Sequence, residues 1–423
     1  MSKSINLGAP YVRGETRTRK STPAFATLVC FIILVGMPVV YSIAALKGLD
    51  LNTAFTAVWA FGFVAAVVLE LRAKPAPGIT AFHLAAVLIP LIGLPGLAIL
   101  RPSTTWLVMV LGYTLILFFR QAVLCVIIPK AIHGFEETIL KRVFTLMIVG
   151  GMVVCIGSMM IYAKQGITVF NPARYEQENW MHPGTIGNHC AFVVLATLLT
   201  PHIPKILRIS AAVLAMYVVL TVQSRTILVA LTLTVLLHLA MEYFKNPRKH
   251  SLSFFISVVL GIPLIIVSIP WFMSLGAVKN MYARTFETSD PFARRGDFIQ
   301  IAIDAWRESP LFGYGWRSGL IDNVVAQFGM QLGLVGTLLY FAFFFWVLGY
   351  AVKVYRTTRL ASRKQVAHAL ILFGAFITMA SLSTAYNVLQ LTDLVANTFM
   401  LLAGFLFFTK EPRALRREKP VPI

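Results

Sequence analysis

Residues 326 to 352 read AQFGMQLGLVGTLLYFAFFFWVLGYAV, an uncharged stretch bounded by Asp322 on one side and Lys353 on the other. As a helix rising 1.5 Å per residue, such a run crosses the ~30 Å hydrocarbon core of a bilayer. Working outward, runs of the same kind recur near residues 25 to 46, 53 to 71, 80 to 99, 104 to 126, 142 to 163, 184 to 201, 207 to 222, 225 to 243 and 252 to 275. Two more follow, at 367 to 386 and 391 to 409. The chain has 58% apolar and only 13% charged residues, against about 25% charged in soluble domains, and a mean hydropathy of +0.77. The expectation is one all-α polytopic membrane domain over residues 1–423 with about 12 transmembrane helices. The first run is too long for a signal-peptide core and no small-residue cleavage site follows it, so it is expected to persist as span one.

The quoted run also orients the chain. After Lys353 come Arg356, Arg359, Arg363 and Lys364, and basic clusters recur at every second junction. With both termini cytoplasmic, a basic tail at 1–24 and another at 410–423, most of the 37 Lys and Arg residues fall on the cytoplasmic side, as the positive-inside rule requires. The net charge of +20 is thus a topology signal and a contact with anionic lipid, not a nucleic-acid-binding surface. The four cysteines, Cys30, Cys125, Cys155 and Cys190, are scattered without a C-x-x-C pair, which implies neither a zinc site nor a disulfide framework.

Two outward segments are too long to be simple connectors. The first, residues 164–183, reads KQGITVFNPARYEQENWMHP, with Arg174 within it, and leads into GTIGNHCAF, which puts His182, Asn188 and His189 at the outer mouth of span six. The second, residues 276–325 between spans nine and ten, includes TFETSDPFARRGDFIQIAIDAWRESPLFGYGWRSGLIDN from Thr285 to Asn323. Within it Phe298, Ile301, Ala302, Ala305 and Trp306 recur at helical spacing, with Asp297, Gln300, Asp304, Arg307 and Glu308 opposite, an amphipathic helix lying on a surface. Ser309 and Pro310 end it, and Gly313, Tyr314 and Gly315 form a flexible turn. Arg294 and Arg295 fall just before the helix start, where a cation opposes the dipole; either they are a solvated charge run or something anionic docks there.

Between spans seven and eight the chain reads TVQSRTIL, with Arg225 in an otherwise apolar stretch. Such an arginine snorkels to the interface or finds an anion, a phosphate or a carboxylate, both of which suit its planar fork. Arg174, Arg225, Arg294, Arg295 and Arg317 together look like a site for a phosphorylated ligand on the outward face.

The stretch from Arg295 through Ala302, Pro310, Gly313 and Gly315 to Asp322-Asn323, closing with Gln331-Leu-Gly-Leu-Val-Gly336, resembles the signature of the O-antigen ligase and Wzy-type polymerase superfamily. The Ser224-Arg225 pair, the Gly184 to Asn188 stretch and the large loop between spans nine and ten are similar to that family as well. The resemblance implies a bacterial inner-membrane enzyme with its active site facing the periplasm, transferring glycan from an undecaprenyl-diphosphate-linked saccharide with inversion, without a metal or other cofactor. It implies that Arg225 and one of Arg294 and Arg295 neutralise the leaving diphosphate and that Asp322 is the base for the acceptor hydroxyl, with Asn323 orienting substrate or base.

Asp322 stands where ligases of the family usually carry His, which fits polymerases of exopolysaccharide or O-antigen better. Gln331 replaces a frequent Glu, and His182 or Arg174 would fill the place of an arginine that is absent before Gly184. Arg317 and Asn188 complete the expected substrate contacts. Partners implied are the lipid-linked saccharide, membrane lipid, and a chain-length co-polymerase and flippase. A ligase to lipid A core or protein is the alternative of the same class. A lipid-linked sugar flippase or secondary transporter is the alternative of another, disfavoured because the acids avoid the span centres.

Overall fold

The computed structural model describes residues 27–47, 61–62, 64–65, 67–68, 80–96, 104–131, 136–171, 183–245, 274–286, 293–316, 323–381 and 394–408. Those residues are helical or in turns, with no strand among them. The helices are α1 (Met37–Lys47), entered through a π-helical turn at Ile32–Gly36; α2 (Ala81–Leu88), continued as a 3-10 turn at Ile89–Gly93; and α3 (Thr104–Gln121), which runs through a π-helical turn at Ala122–Ile127 to a last turn at Ile128–Ala131. Then come α4 (Glu136–Lys164), α5 (Pro183–Leu198), α6 (Lys205–Val222), α7 (Arg225–Lys245), α8 (Gly276–Phe286), α9 (Ala293–Glu308), α10 (Val324–Thr357), α11 (Ala361–Ser381) and α12 (Leu394–Phe408). Helix is the form that satisfies every backbone N–H and C=O within one uncharged segment, as lipid demands.

Six of these stretches are long and apolar enough to span a membrane: Thr104–Ala131, Leu140–Lys164, Lys205–Val222, Arg225–Phe244, Val324–Thr357 and Ala361–Ser381. Shorter apolar helices occupy Thr27–Val40, Ala81–Gly93, Gly184–Leu198 and Leu394–Phe408, where the sequence predicts spans one, three, six and twelve. The predicted ninth span lies outside the described residues except at its end, and most of the second does too.

Because lipid is as apolar as the interior, close approach and not hydrophobicity selects which helix face turns inward. Small residues mark that face. Gly150 of α4 abuts the backbone of Leu34, Gly151 abuts Val193 of α5, and Gly404 of α12 abuts Cys125 and Pro129. Along α6 the inward side chains Ala215, Val218 and Val219 are fully buried while Ile206 and Val213 are exposed toward lipid.

Two features cannot be read from hydropathy. Arg120, a charge within the predicted run at 104 to 126, is fully buried, and its Nε donates to Asn397 Oδ1 of α12 at 2.6 Å. The second feature is a break in α10. Gly333 has φ 61° and ψ −167°, a region open essentially to glycine alone, so residues 324–332 and 334–357 form two helical segments. The break strands backbone groups of both, and residues 310–315 supply their partners. Tyr314 N–H donates to Met330 C=O (2.9 Å), Gly315 N–H to Gln331 C=O (2.7 Å), Leu334 N–H to Pro310 C=O (2.8 Å) and Val335 N–H to Leu311 C=O (3.1 Å). The turn read from the sequence as flexible is therefore tied down by four backbone hydrogen bonds.

Contact this close tolerates no side chain at the crossing. A Cβ on Gly333 would overlap the Leu311 carbonyl, and one on Gly313, itself at φ 64°, would come within 2.6 Å of the backbone nitrogens of Leu332 and Gly333. Gly96 beside the Gly313 carbonyl is equally confined. Backbone strain alone costs ~1–3 kcal/mol at such positions, so Gly333→Ala should lower the thermal midpoint of the detergent-solubilised protein or abolish its monodisperse peak. Gly349→Ala in the same helix, where nothing lies within 4 Å, should leave both unchanged.

Candidate active site

The helix ends around Arg225 come together through specific contacts. Gly187 of α5 packs against Val222 and Ile227, on either side of the α6–α7 turn that carries Arg225. His189, 1% exposed, accepts at Nε2 from the Leu394 N–H that opens α12 (3.1 Å), while its Nδ1 lies 2.7 Å from the Thr185 carbonyl. A carbonyl can only accept, so Nδ1 carries the proton and Nε2 is the acceptor. His189 is thus a pin between α5 and α12. The two long segments read as outward loops also meet, where Ala277 N–H of α8 donates to Val169 C=O at 2.9 Å and Val169, Leu275, Val278 and Met281 cluster over Tyr217 and Leu228.

Arg225 is the first residue of α7 and is half-buried. The turn before it is strained. Gln223 has φ 57° and ψ 35°, the left-handed conformation of a helix C-cap, and it is the one non-glycine residue with positive φ among the described residues. An L side chain there costs ~1–2 kcal/mol. Gln223, 7% exposed, fixes the turn that puts Arg225 at the head of its helix. A cation at a helix N-terminus opposes the dipole, and α5, α7 and α12 all begin where these contacts gather. This end of the bundle is electrostatically suited to an anion.

Asn188 is 2% exposed, and its Oδ1 has no hydrogen-bond partner among the described residues. A buried, unsatisfied amide oxygen costs about 1–3 kcal/mol. Asn323 is already engaged: its Oδ1 accepts from the N–H groups of Val325 (2.9 Å) and Ala326 (3.0 Å) and so caps α10. Arg294 and Arg295 lie inside the first turn of α9, not ahead of it, and the structure describes their backbone. Arg174, His182, Arg317 and Asp322 lie outside the described residues.

The residues just before Arg317 are held by specific contacts. Trp316 is 3% exposed; its Nε1 donates to the Pro90 carbonyl (2.7 Å) and its ring lies against Tyr113 and Phe328. Sequence reasoning passed over Trp316, although an aromatic next to Gly-Tyr-Gly in a polar loop signals an anchor. Tyr314 donates from its hydroxyl to the Glu308 carboxylate, and that hydrogen bond pushes the phenol up to about 12. It therefore stays protonated and is no candidate for a base. Among the described residues no group of three or more His, Cys, Asp and Glu could hold a metal ion.

Together these features define a helical membrane protein with a broken helix, an interlocked loop and an anion-ready mouth at one end. Residues 210–341 match the family model described as O-antigen ligase, which bears out the superfamily resemblance carried by the motifs. The matched segment runs from α6 through Arg225, Arg294, Arg295 and the interlock into α10, and leaves Arg174, His182 and Asn188 outside it. Members of this family are membrane enzymes that act on lipid-linked glycans. No curated protein matches the chain.

The cap role of Asn323 has a measurable consequence. Asn323→Ala should destabilise the protein by about 1 kcal/mol, read as a lower thermal midpoint in detergent, and Asn323→Ser, which retains a capping oxygen, should recover most of it.

Proposed function

We propose that the protein is a polymerase that joins undecaprenyl-diphosphate-linked oligosaccharide repeat units into exopolysaccharide or O-antigen at the periplasmic face of the inner membrane. The observation that carries this reading is Arg225, a half-buried cation at the head of an apolar helix, beside the strained Gln223 turn and within the family-matched segment. Its guanidinium sits where a lipid diphosphate would leave, and catalysis of that departure needs positive charge held in place before the bond breaks. One of Arg294 and Arg295 shares this charge. Asn188 Oδ1 accepts a hydroxyl of the bound saccharide, and Arg174, His182 and Arg317 complete the contacts from the segments around the mouth.

In the reaction the acceptor hydroxyl attacks the anomeric carbon from the face opposite the diphosphate, so the configuration inverts. Asp322 takes the hydroxyl proton, the C–O bond to the diphosphate breaks, and undecaprenyl diphosphate leaves with the electron pair. A carboxylate base is sufficient, and the arginines perform the charge neutralisation that a divalent metal performs in other transferases. A ligase is the second reading, favoured by the description of the matched family. It differs only in the acceptor, lipid A core or protein in place of another repeat unit. Co-polymerase and flippase partners belong to the polymerase reading.

Arg225→Ala should abolish polymer formation while leaving insertion and expression intact, and polymer of normal length and amount from this variant would sink the assignment. Asp322→Asn should lower turnover by at least about a hundredfold, the typical contribution of a general base; normal turnover would remove Asp322 from the mechanism. Activity should persist in the presence of EDTA. Deleting the gene separates the readings on a surface-glycan gel: single-repeat material for a polymerase, lipid-linked polymer with unmodified acceptor for a ligase, and repeat units held on the inner leaflet for a flippase.

A further inference from the structure

Helix α9 presents three faces where the sequence predicts two. Ala302 (2% exposed) packs on Met330, with Ala305, Tyr314 and Ala326 around them, so this face is spent on α10. Gln300, Asp304 and Arg307 make the polar face, where Gln300 Nε2 and Arg307 both reach Asp304 Oδ1, at 3.0 and 3.2 Å, and the Arg307 side chain is 74% exposed. Between them, at i, i+4 and i+7, runs a stripe of Ile299, Ile303 and Trp306, which are 41%, 37% and 40% exposed and continue to Leu311 at 53%. Large apolar side chains contiguous on one flank mark a surface that something apolar covers.

The depth of the helix identifies the cover. From Leu334 to the last residue before Lys353, α10 runs uncharged for a length of roughly 28 Å at 1.5 Å per residue, which already consumes the ~30 Å hydrocarbon core. The break at Gly333 therefore lies at the boundary of that core, and residues 324–332 stand at headgroup level. Helix α9 packs on those residues, as Trp306 against Gly329 and Ala302 against Met330 show. Beyond the break the lipid-facing row of α10 begins at once with Leu334, Val335, Leu338 and Leu339, all exposed. Leu311, at the end of the stripe, adjoins this row, since its carbonyl accepts from Val335 N–H. Trp306, with its ring exposed and its Nε1 donating to the Pro310 carbonyl at 2.8 Å, has the amphipathic placement of interfacial tryptophans.

We propose that α9 is an interfacial helix docked on the leaflet at the Arg225 end of the bundle, with Ile299, Ile303, Trp306 and Leu311 dipping into the boundary between headgroups and acyl chains. The interlock with α10 holds its height, so that the first turn, which contains Arg294 and Arg295, runs at the level of lipid phosphates. This inference stands whichever glycan the protein handles.

The test uses the full chain in phosphatidylethanolamine–phosphatidylglycerol vesicles with single nitroxide labels at cysteines placed at 299, 303, 300 and 304. The four native cysteines are fully buried, and the unsubstituted protein serves as the labelling control. Labels at 299 and 303 should collide several-fold more with bilayer-soluble oxygen than with water-soluble nickel–EDDA, and labels at 300 and 304 the reverse. Equal nickel accessibility at all four would show the stripe facing water. Shielding of 299 and 303 from both reagents would show a protein partner, a second copy included. Either result overturns the proposal. Quenching by brominated lipid, compared between the native protein and Trp306→Phe, tests it without labels: part of the quenching should vanish with Trp306, and an unchanged quenched fraction counts against interfacial docking.

Discussion

The structure hangs on four backbone hydrogen bonds that join residues 310–315 to the broken helix α10. A helix interrupted near the hydrocarbon boundary leaves carbonyls and amides without partners, and each such group is expensive where water is scarce. The loop pays for the break by donating and accepting in register, and only glycine at 313 and 333 lets the two backbones approach so closely. Much else follows from this closure. Trp316 is driven under the 3-10 turn at Ile89–Gly93, and α9 is held against α10.

A second organising constraint is electrostatic. Several helices start at the end where Arg225 lies, so their positive ends and the arginine side chain act in the same sense. Such an arrangement is favourable to an anion at that end. The buried Asn188 and the left-handed Gln223 are further places where local stability is given up at this end. His189, by contrast, satisfies both ring nitrogens and works as a joint between α5 and α12.

Part of the candidate site was legible because glycine and proline spacing reports on backbone geometry. The Pro310, Gly313, Gly315 and Gly333 positions stood out as a motif, and the structure supplies the reason for each in the interlock. What the motif could not disclose was that its glycines serve contact with α10 and not mobility. Asn323 stood out too, and its Oδ1 is occupied by the backbone of α10.

From sequence alone came the membrane-embedded all-helical class, the places of most described spans, the amphipathic helix ending at Glu308 and the superfamily resemblance that residues 210–341 carry, since each depends on composition or spacing along one segment. The tertiary structure alone decided which segments meet. The burial of Arg120 against Asn397, the pinning of α12 by His189, the pairing of Val169 with Ala277 and the closing of the α10 break are contacts between residues tens to hundreds of positions apart. Hydropathy is blind to them because lipid and protein interior are equally apolar, so the face a helix turns inward is chosen by the fit of small residues and polar partners on its neighbours.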